Sequence, residues 1–455
     1  MPQELIISVS GLRGVVGESL TPDAAMRYTL AFAAELPRGP VVIGRDGRAS
    51  GAMFAEVIAT QLAALGRQVL DAGVAATPTV GVLVRTLQAA GGIQISASHN
   101  PPQYNGMKLF SAAGRVIPAV AGQRVLEKYL ASSQQPVAAD QRSAGATVTT
   151  PTLLSDSIAA HLELITKICD VERIRQRRFR VLLDANHGAG AILGRRLLLH
   201  LGCELTILGA TPDGQFAHAP EPTEANLQSV LVAVASGRVD VGFCQDPDAD
   251  RLAIIDQRGR YLGEEKTLAL CVDHVLRSQR TGAVVTNCST SRMSEDLARK
   301  YGAPFYRSRV GEANVVDMML EKGAVIGGEG NGGVIDPRVG LVRDSFVAMA
   351  LVLDAMAARD LTVSALADEL PKYAIHKTTI AVPGSGVAAA LNAIESHFAA
   401  ATADRLDGLR LDFADGAWLL VRPSNTEPIV RAIAEARTGK EARRLCNLTA
   451  ALLAG

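Results

Sequence analysis

Asp246, Asp248 and Asp250, in the segment Asp246-Pro247-Asp248-Ala249-Asp250-Arg251, put three carboxylates at alternate positions directly behind an apolar run. Unpaired they would repel one another; together they can converge on one hard cation. An EF-hand calcium loop would place Gly sixth and Glu twelfth, where this chain has Arg251 and Gln257, so that reading fails. A Mg²⁺ site with positions open to a phosphate oxygen fits, with Arg251 balancing the acids or facing a substrate phosphate. The plain alternative is a solvated acidic turn.

Three more segments have comparable content. Ser96-Ala97-Ser98-His99-Asn100-Pro101-Pro102 presents a hydroxyl beside an imidazole and an amide, with Lys108 downstream. A serine nucleophile needs a proton acceptor and positive surroundings. The same residues also suit a polar turn in which Ser98 and Asn100 cap backbone groups. Gly327-Gly328-Glu329-Gly330-Asn331-Gly332-Gly333 permits close backbone approach, and Glu329 and Asn331 can hydrogen-bond sugar hydroxyls. A flexible surface loop fits that run equally well. Arg422-Pro423-Ser424-Asn425-Thr426-Glu427-Pro428, with Arg431 beyond, makes a phosphate cradle or a capped turn; it is not a Walker A loop, which needs G-x-x-x-x-G-K-[ST].

These loops must be positioned by strands. Short β-branched runs predict strands over 41–43, 92–95, 180–183, 239–243, 252–255, 283–286, 324–326 and 418–421. Longer Ala/Leu-rich stretches predict helices over 23–36, 53–65, 227–236, 345–359 and 440–453. The alternation implies βαβ units and an α/β fold with largely parallel sheets, whose sites sit at the carboxyl ends of strands. At roughly 150 residues per domain, 455 residues suggest about three domains. A polar, aperiodic linker over 132–150, a turn at 256–259 and a composition shift over 371–383 divide the chain into four segments, 1–150, 151–255, 256–370 and 371–455.

Composition removes several classes. With 48% hydrophobic and 20% charged residues the chain can bury several cores and is not disordered. Lys plus Arg equals Asp plus Glu, and aromatics are 4%, which argues against nucleic acid or a membrane surface as partner. The start has neither a basic nor a long apolar segment, and the six cysteines are scattered, so a reducing, cytoplasmic setting is expected. His161, His200, His274 and His397 read as packed or surface residues, and His187 as structural.

Taken together the loops resemble those of the α-D-phosphohexomutase superfamily, over nearly the whole chain. Ser8-Val9-Ser10-Gly11-Leu12-Arg13-Gly14 is similar to its amino-terminal loop, and Gly44-Arg45-Asp46-Gly47-Arg48 follows. Ser98-His99-Asn100-Pro101 resembles the phosphoserine loop, 246–251 the metal loop, 328–333 the sugar loop and 422–428 the phosphate loop. The resemblance implies four domains around a central cleft, three related α/β domains with mixed sheets and a smaller C-terminal α+β domain. It implies an enzyme that interconverts hexose 6-phosphate and hexose 1-phosphate through phosphoserine and a bound 1,6-bisphosphate, primed by that bisphosphate. Mg²⁺ would be its metal. Its partner would be a small hexose phosphate, and it would act as a monomer or homodimer.

By the same resemblance Ser98 would carry the phosphoryl group. Asp246, Asp248 and Asp250 would bind Mg²⁺ together with an oxygen of the group on Ser98. Arg13, Lys108 and His99 would stabilise charge and assist proton transfer. Arg251, Glu329 and Asn331 would face the substrate, and Arg422, Ser424, Asn425, Thr426 and Arg431 its non-reacting phosphate. Many bacterial members have Ser and His where this sugar loop has Asn331 and Gly333, and other branches carry Lys where Arg309-Val310-Gly311-Glu312 ends in an acid. The Gly-Glu-Gly-Asn-Gly-Gly form resembles an archaeal-like phosphoglucosamine mutase branch, whereas Asn425 looks more like phosphomannomutases. Glucosamine phosphate is therefore the expected substrate, with a phosphomannomutase/phosphoglucomutase as the alternative. From other classes, a Mg²⁺-dependent phosphatase would not need the distal cradle, and a non-catalytic sensor would be expected to have lost Ser98 or a metal acid.

Overall fold

A computed structural model describes residues 5–8, 11–133, 150–278, 281–381, 387–423 and 429–454. Most of the expected linker over 132–150, part of the shift over 371–383, and Ser424, Asn425 and Thr426 lie outside the described residues.

Three of the four sheets repeat one pattern: an antiparallel hairpin whose first strand runs parallel to a neighbour, which runs parallel to the next. In the first sheet the hairpin is Gly91–Ile95 with Tyr104–Ser111, followed by Val41–Arg45 and Val69–Val74. Gly11–Val15 and Ile6–Ser8 extend one edge and Thr152–Leu153 the other. In the second the hairpin is Val241–Gln245 with Leu252–Asp256, beside Arg180–Asp184 and Glu204–Leu208. In the third it is Ala324–Glu329 with Gly333–Ile335, beside Ala283–Asn287 and Phe305–Ser308. Each hairpin turn is one of the chemical loops. The fourth sheet is wholly antiparallel, in the order Ala374–Ala381, Ile429–Ala436, Trp418–Pro423, Leu409–Asp412, Thr402–Asp404, packed by the helices Val387–His397 and Gly439–Ala454. The architecture is α/β with three related mixed-sheet units and a smaller α+β unit.

The hairpin strands Gly91–Ile95 and Val241–Gln245 are buried at every residue, as expected for near-continuous apolar runs covered on both faces. The expected strand over 239–243 forms two residues later, so that Asp246 follows it directly. The helix expected over 23–36 ends at Ala33, because Pro37 disfavours helical backbone just before it. Ser345–Arg359 forms as expected, is buried from Ser345 to Ala357, and joins the second and third units in one core. Asp344 caps it, accepting from the amides of Phe346 and Val347 at 2.9 and 3.1 Å, and holds the buried His161 Nε2 at 2.6 Å. Among the described residues no helix is long and apolar enough to cross a membrane.

Candidate active site

Ser98 stands in the turn after Gly91–Ile95 with φ +48°, a left-handed backbone that costs a non-glycine residue about 1 kcal/mol or more and persists only where surroundings enforce it. The enforcing groups are buried. Arg48 donates to the carbonyls of Ser98 at 2.7 Å, Asn100 at 2.6 Å, Pro101 at 2.7 Å and Tyr104 at 3.0 Å, and its Nε to Asp46 at 3.1 Å. Asp46 accepts from Ser96 Oγ at 2.6 Å, and Ser96 Oγ in turn accepts from the Ser98 amide at 2.8 Å. Ser98 Oγ, in a residue only 1% exposed, donates to Asp246 Oδ2 at 2.9 Å and lies 3.4 Å from His99 Nδ1. Burial, with Arg251 and Arg13 nearby, pushes the His99 imidazole down to about 2. It is neutral there and offers a hydrogen bond, not a charge.

The acidic loop turns at Ala249, φ +56°, and all three aspartates are fully buried. Asp246 Oδ1 accepts from the amides of Asp250 and Arg251, each at 3.1 Å. Thr77 Oγ1 donates to Asp248 Oδ2 at 2.5 Å. Lys108 Nζ stands 3.4 Å from Asp248 and 2.7 Å from Asp250. Burial and then Asp248 and Asp250 hold the Asp246 carboxyl well above the usual range. For Asp250 burial acts the same way, but Arg343, Lys108 and Arg251 outweigh it and hold that group well below. The loop fits a divalent cation on two observations: among the described residues Asp248 Oδ1 and Asp250 Oδ1 are buried without a hydrogen-bond donor, and one oxygen from each aspartate lies within 4.8 Å of the others.

Glu329 and Asn331 line a separate cleft of about 480 Å³ between the third and fourth units, together with Arg422, Arg431, Glu265, Asn287, Lys377 and Thr378. Gly332, at φ +83°, lets the glycine-rich loop meet the hairpin of the acidic loop: a Cβ there would lie 2.4 Å from the Leu252 carbonyl, and the Leu252 amide donates to Gly332 O at 3.1 Å. The expected site residues thus fall into two groups, Arg13, Ser98, His99, Lys108, the three aspartates and Arg251 in one, and Glu329, Asn331, Arg422 and Arg431 in the other. Arg13 Nη1 joins the first group by donating to Asn100 Oδ1 at 3.2 Å.

Sequence reasoning missed the link between them. Arg343 is buried and donates to Asp250 Oδ2 at 2.6 Å and to Glu329 Oε2 at 2.7 Å, with Glu312 at 3.6 Å. Burial lowers its affinity for the proton, but Asp250, Glu312 and Glu329 more than reverse that. Nothing local marks it beyond its place before a helix cap. Asp46 and Arg48 were visible as a motif without a role, and Glu265 and Lys377 carried no signal.

Family models match four successive segments: phosphoglucomutase/phosphomannomutase domain I over residues 5–136, domain II over 159–259, domain III over 264–373 and the C-terminal domain over 381–452. The chain is 37% identical over 450 residues to a phosphoglucomutase/phosphomannomutase of Thermococcus kodakarensis, covering 97% of each. It is 33% identical to a "Probable phosphoglucosamine mutase" of Methanopyrus kandleri, covering 96% of this chain and 95% of that one. The crystal structure of a phosphoglucomutase/phosphomannomutase family protein from Burkholderia thailandensis superposes with TM-score 0.81 at 26% identity, covering 98% of each chain. With its four segments matched in order, the chain belongs to the phosphoglucomutase/phosphomannomutase family and is a phosphohexomutase.

Proposed function

We propose that this phosphohexomutase interconverts glucosamine 6-phosphate and glucosamine 1-phosphate, with Ser98 as the phosphoryl carrier. The observation that carries the reading is the Ser98 hydroxyl 2.9 Å from Asp246 in a buried three-aspartate loop, near a cationic cleft in which Lys377, Arg422 and Arg431 can hold a second phosphate. The name of the M. kandleri relative and the form of the sugar loop support the sugar. The T. kodakarensis relative, at higher identity, supports glucose or mannose phosphate as the second reading. We take the units to divide at about 150, 255 and 370; the first lies between the matched segments 5–136 and 159–259, and the other two lie inside the segments 159–259 and 264–373, close to their ends.

In the first half-reaction the bond from Ser98 Oγ to phosphorus breaks and a hexose hydroxyl takes the phosphoryl group, giving hexose 1,6-bisphosphate and free serine. After the sugar reverses in the cleft, Ser98 takes back the phosphoryl group from the other end. A hexose 1,6-bisphosphate primes free serine by the same transfer. Asp246, Asp248 and Asp250 would hold Mg²⁺, which supplies charge neutralisation to a phosphoryl oxygen. Lys108 and Arg251 set positive charge beside the acids, His99 accepts or donates one hydrogen bond at Oγ, and Arg13 fixes the turn through Asn100. The cleft cations bind whichever phosphate is not reacting. The reading is tested by following glucosamine, mannose and glucose 6-phosphates side by side with Mg²⁺ and a trace of glucose 1,6-bisphosphate, assaying free phosphate in the same samples. It predicts the highest kcat/KM on the glucosamine sugar without phosphate release. Dominant turnover of another sugar overturns the substrate, and phosphate release without isomerisation overturns the reaction.

A further inference from the structure

The sugar loop has glycine at position 330, and the structure gives that glycine a reason. A Cβ on Gly330 would lie 1.9 to 2.3 Å from the carboxylate atoms of Glu265, which projects from the first turn of the helix Glu264–Arg277. Glycine and glutamate are thus one device: the carboxylate occupies the space that any other side chain at 330 would need. It reaches the cleft between the third and fourth units from beneath the loop that carries Glu329 and Asn331.

Among the described residues two acids line this cleft, and they are not equivalent. Glu329 is fully engaged: Oε1 accepts from Asn287 Nδ2 at 2.7 Å and from the Gly311 amide at 3.1 Å, and Oε2 accepts from Arg343 at 2.7 Å. Glu265 is half engaged. Its Oε2 accepts from the Ser291 amide at 2.9 Å, while Oε1 is buried without a hydrogen-bond donor among the described residues. The nearest cation to Oε1, Lys377 Nζ, is 3.7 Å away on a side chain 51% exposed, whereas that of Glu265 is 17% exposed. A buried acceptor without a donor costs about 1–3 kcal/mol, more when charged, and a ligand that supplies the donor recovers it.

We propose that Glu265 is a specificity-determining residue whose Oε1 accepts from the amino group of an amino-hexose phosphate. The inference rests on the sugar-phosphate reading of the cleft and deepens it. An ammonium group brings both the missing donor and the missing positive charge, where a hydroxyl brings only a donor. Burial already pushes this acid up to about 8, and an arriving cation offsets that cost. A carboxylate there repels phosphate, whereas Arg422 and Arg431 on the same cleft attract it.

The test compares kcat/KM for glucosamine 6-phosphate and glucose 6-phosphate in the full-length enzyme, in E265Q and in G330A. Gln keeps an acceptor for the Ser291 amide and removes the capacity to ionise when a cation arrives; Ala at 330 displaces the carboxyl group without altering it. Both variants are expected to lower the glucosamine-to-glucose ratio by at least about tenfold, through KM for the amino sugar. Thermal midpoints identify a variant that fails to fold, in which case the other decides. A wild-type preference for glucosamine that both folded variants retain overturns the role of Glu265 and leaves the glucosamine reading standing. A wild-type enzyme that turns over glucose 6-phosphate and not the amino sugar overturns the glucosamine reading itself, and the amine contact with it.

Discussion

Arg343 Nη2 lies 2.6 Å from Asp250 Oδ2, a buried pair 93 positions apart in sequence that ties the acidic loop to the turn carrying Glu329. R343M removes the cation that Asp250, Glu329 and Glu312 share, leaving Glu329 without its charged partner and Asp250 with Lys108 at 2.7 Å. The expected cost is about 3–5 kcal/mol, read as a lowered unfolding midpoint, with a loss of turnover. An R343M enzyme with unchanged midpoint and activity would show that the bridge holds nothing in place.

Metal dependence follows from the free oxygens of Asp248 and Asp250. Chelation is expected to abolish isomerisation and Mg²⁺ to restore it. D248N, which removes one anionic ligand, should raise the Mg²⁺ concentration for half-maximal activity by about tenfold or more. The check is a Mg²⁺ titration of both enzymes, and identical curves would contradict the assignment.

Arg48 grips four carbonyls around Ser98 and, among the described residues, does not line the cleft. R48Q should therefore lower kcat while changing KM for the sugar phosphate little, because it loosens the left-handed turn and not the cleft. A rise in KM at constant kcat would place Arg48 in substrate binding instead.

The two kinds of information had different reach. The helix Ser345–Arg359 and the strand after which Ser98 turns were legible because runs of apolar residues report burial directly. The aspartate loop was legible because its three carboxylates are local. Arg343 was not, since its partners come from two hairpin turns and from Glu312 at the start of a helix, and only the packed structure brings them together. Glu265 reads as an ordinary acid in the first turn of a helix, where Asp and Glu are common. Its meaning lies in Gly330, 65 positions away in the chain.

Glu265 also sets a pH dependence. Burial, helped by Glu435 and Glu264 and opposed by Lys377 and the Ser291 amide, raises its pKa from 4.5 to about 8. The folded state therefore favours the protonated acid. That contribution is complete below about pH 4.5 and is lost as pH rises through 8, by up to about 1.4 kcal/mol per unit. Between pH 5 and 8 the unfolding midpoint of the wild type should fall relative to that of E265Q; parallel curves would count against it.

The central claim is that Ser98 carries the phosphoryl group. It is tested most directly by exposing the dephosphorylated enzyme to glucose 1,6-bisphosphate with Mg²⁺, mapping the acquired phosphate by peptide mass spectrometry, and then adding glucosamine 6-phosphate. The account predicts one phosphate on the Ser98 peptide, its removal by the sugar phosphate, and neither label nor turnover in S98A. Label on another residue, or an S98A enzyme that still isomerises, would contradict it.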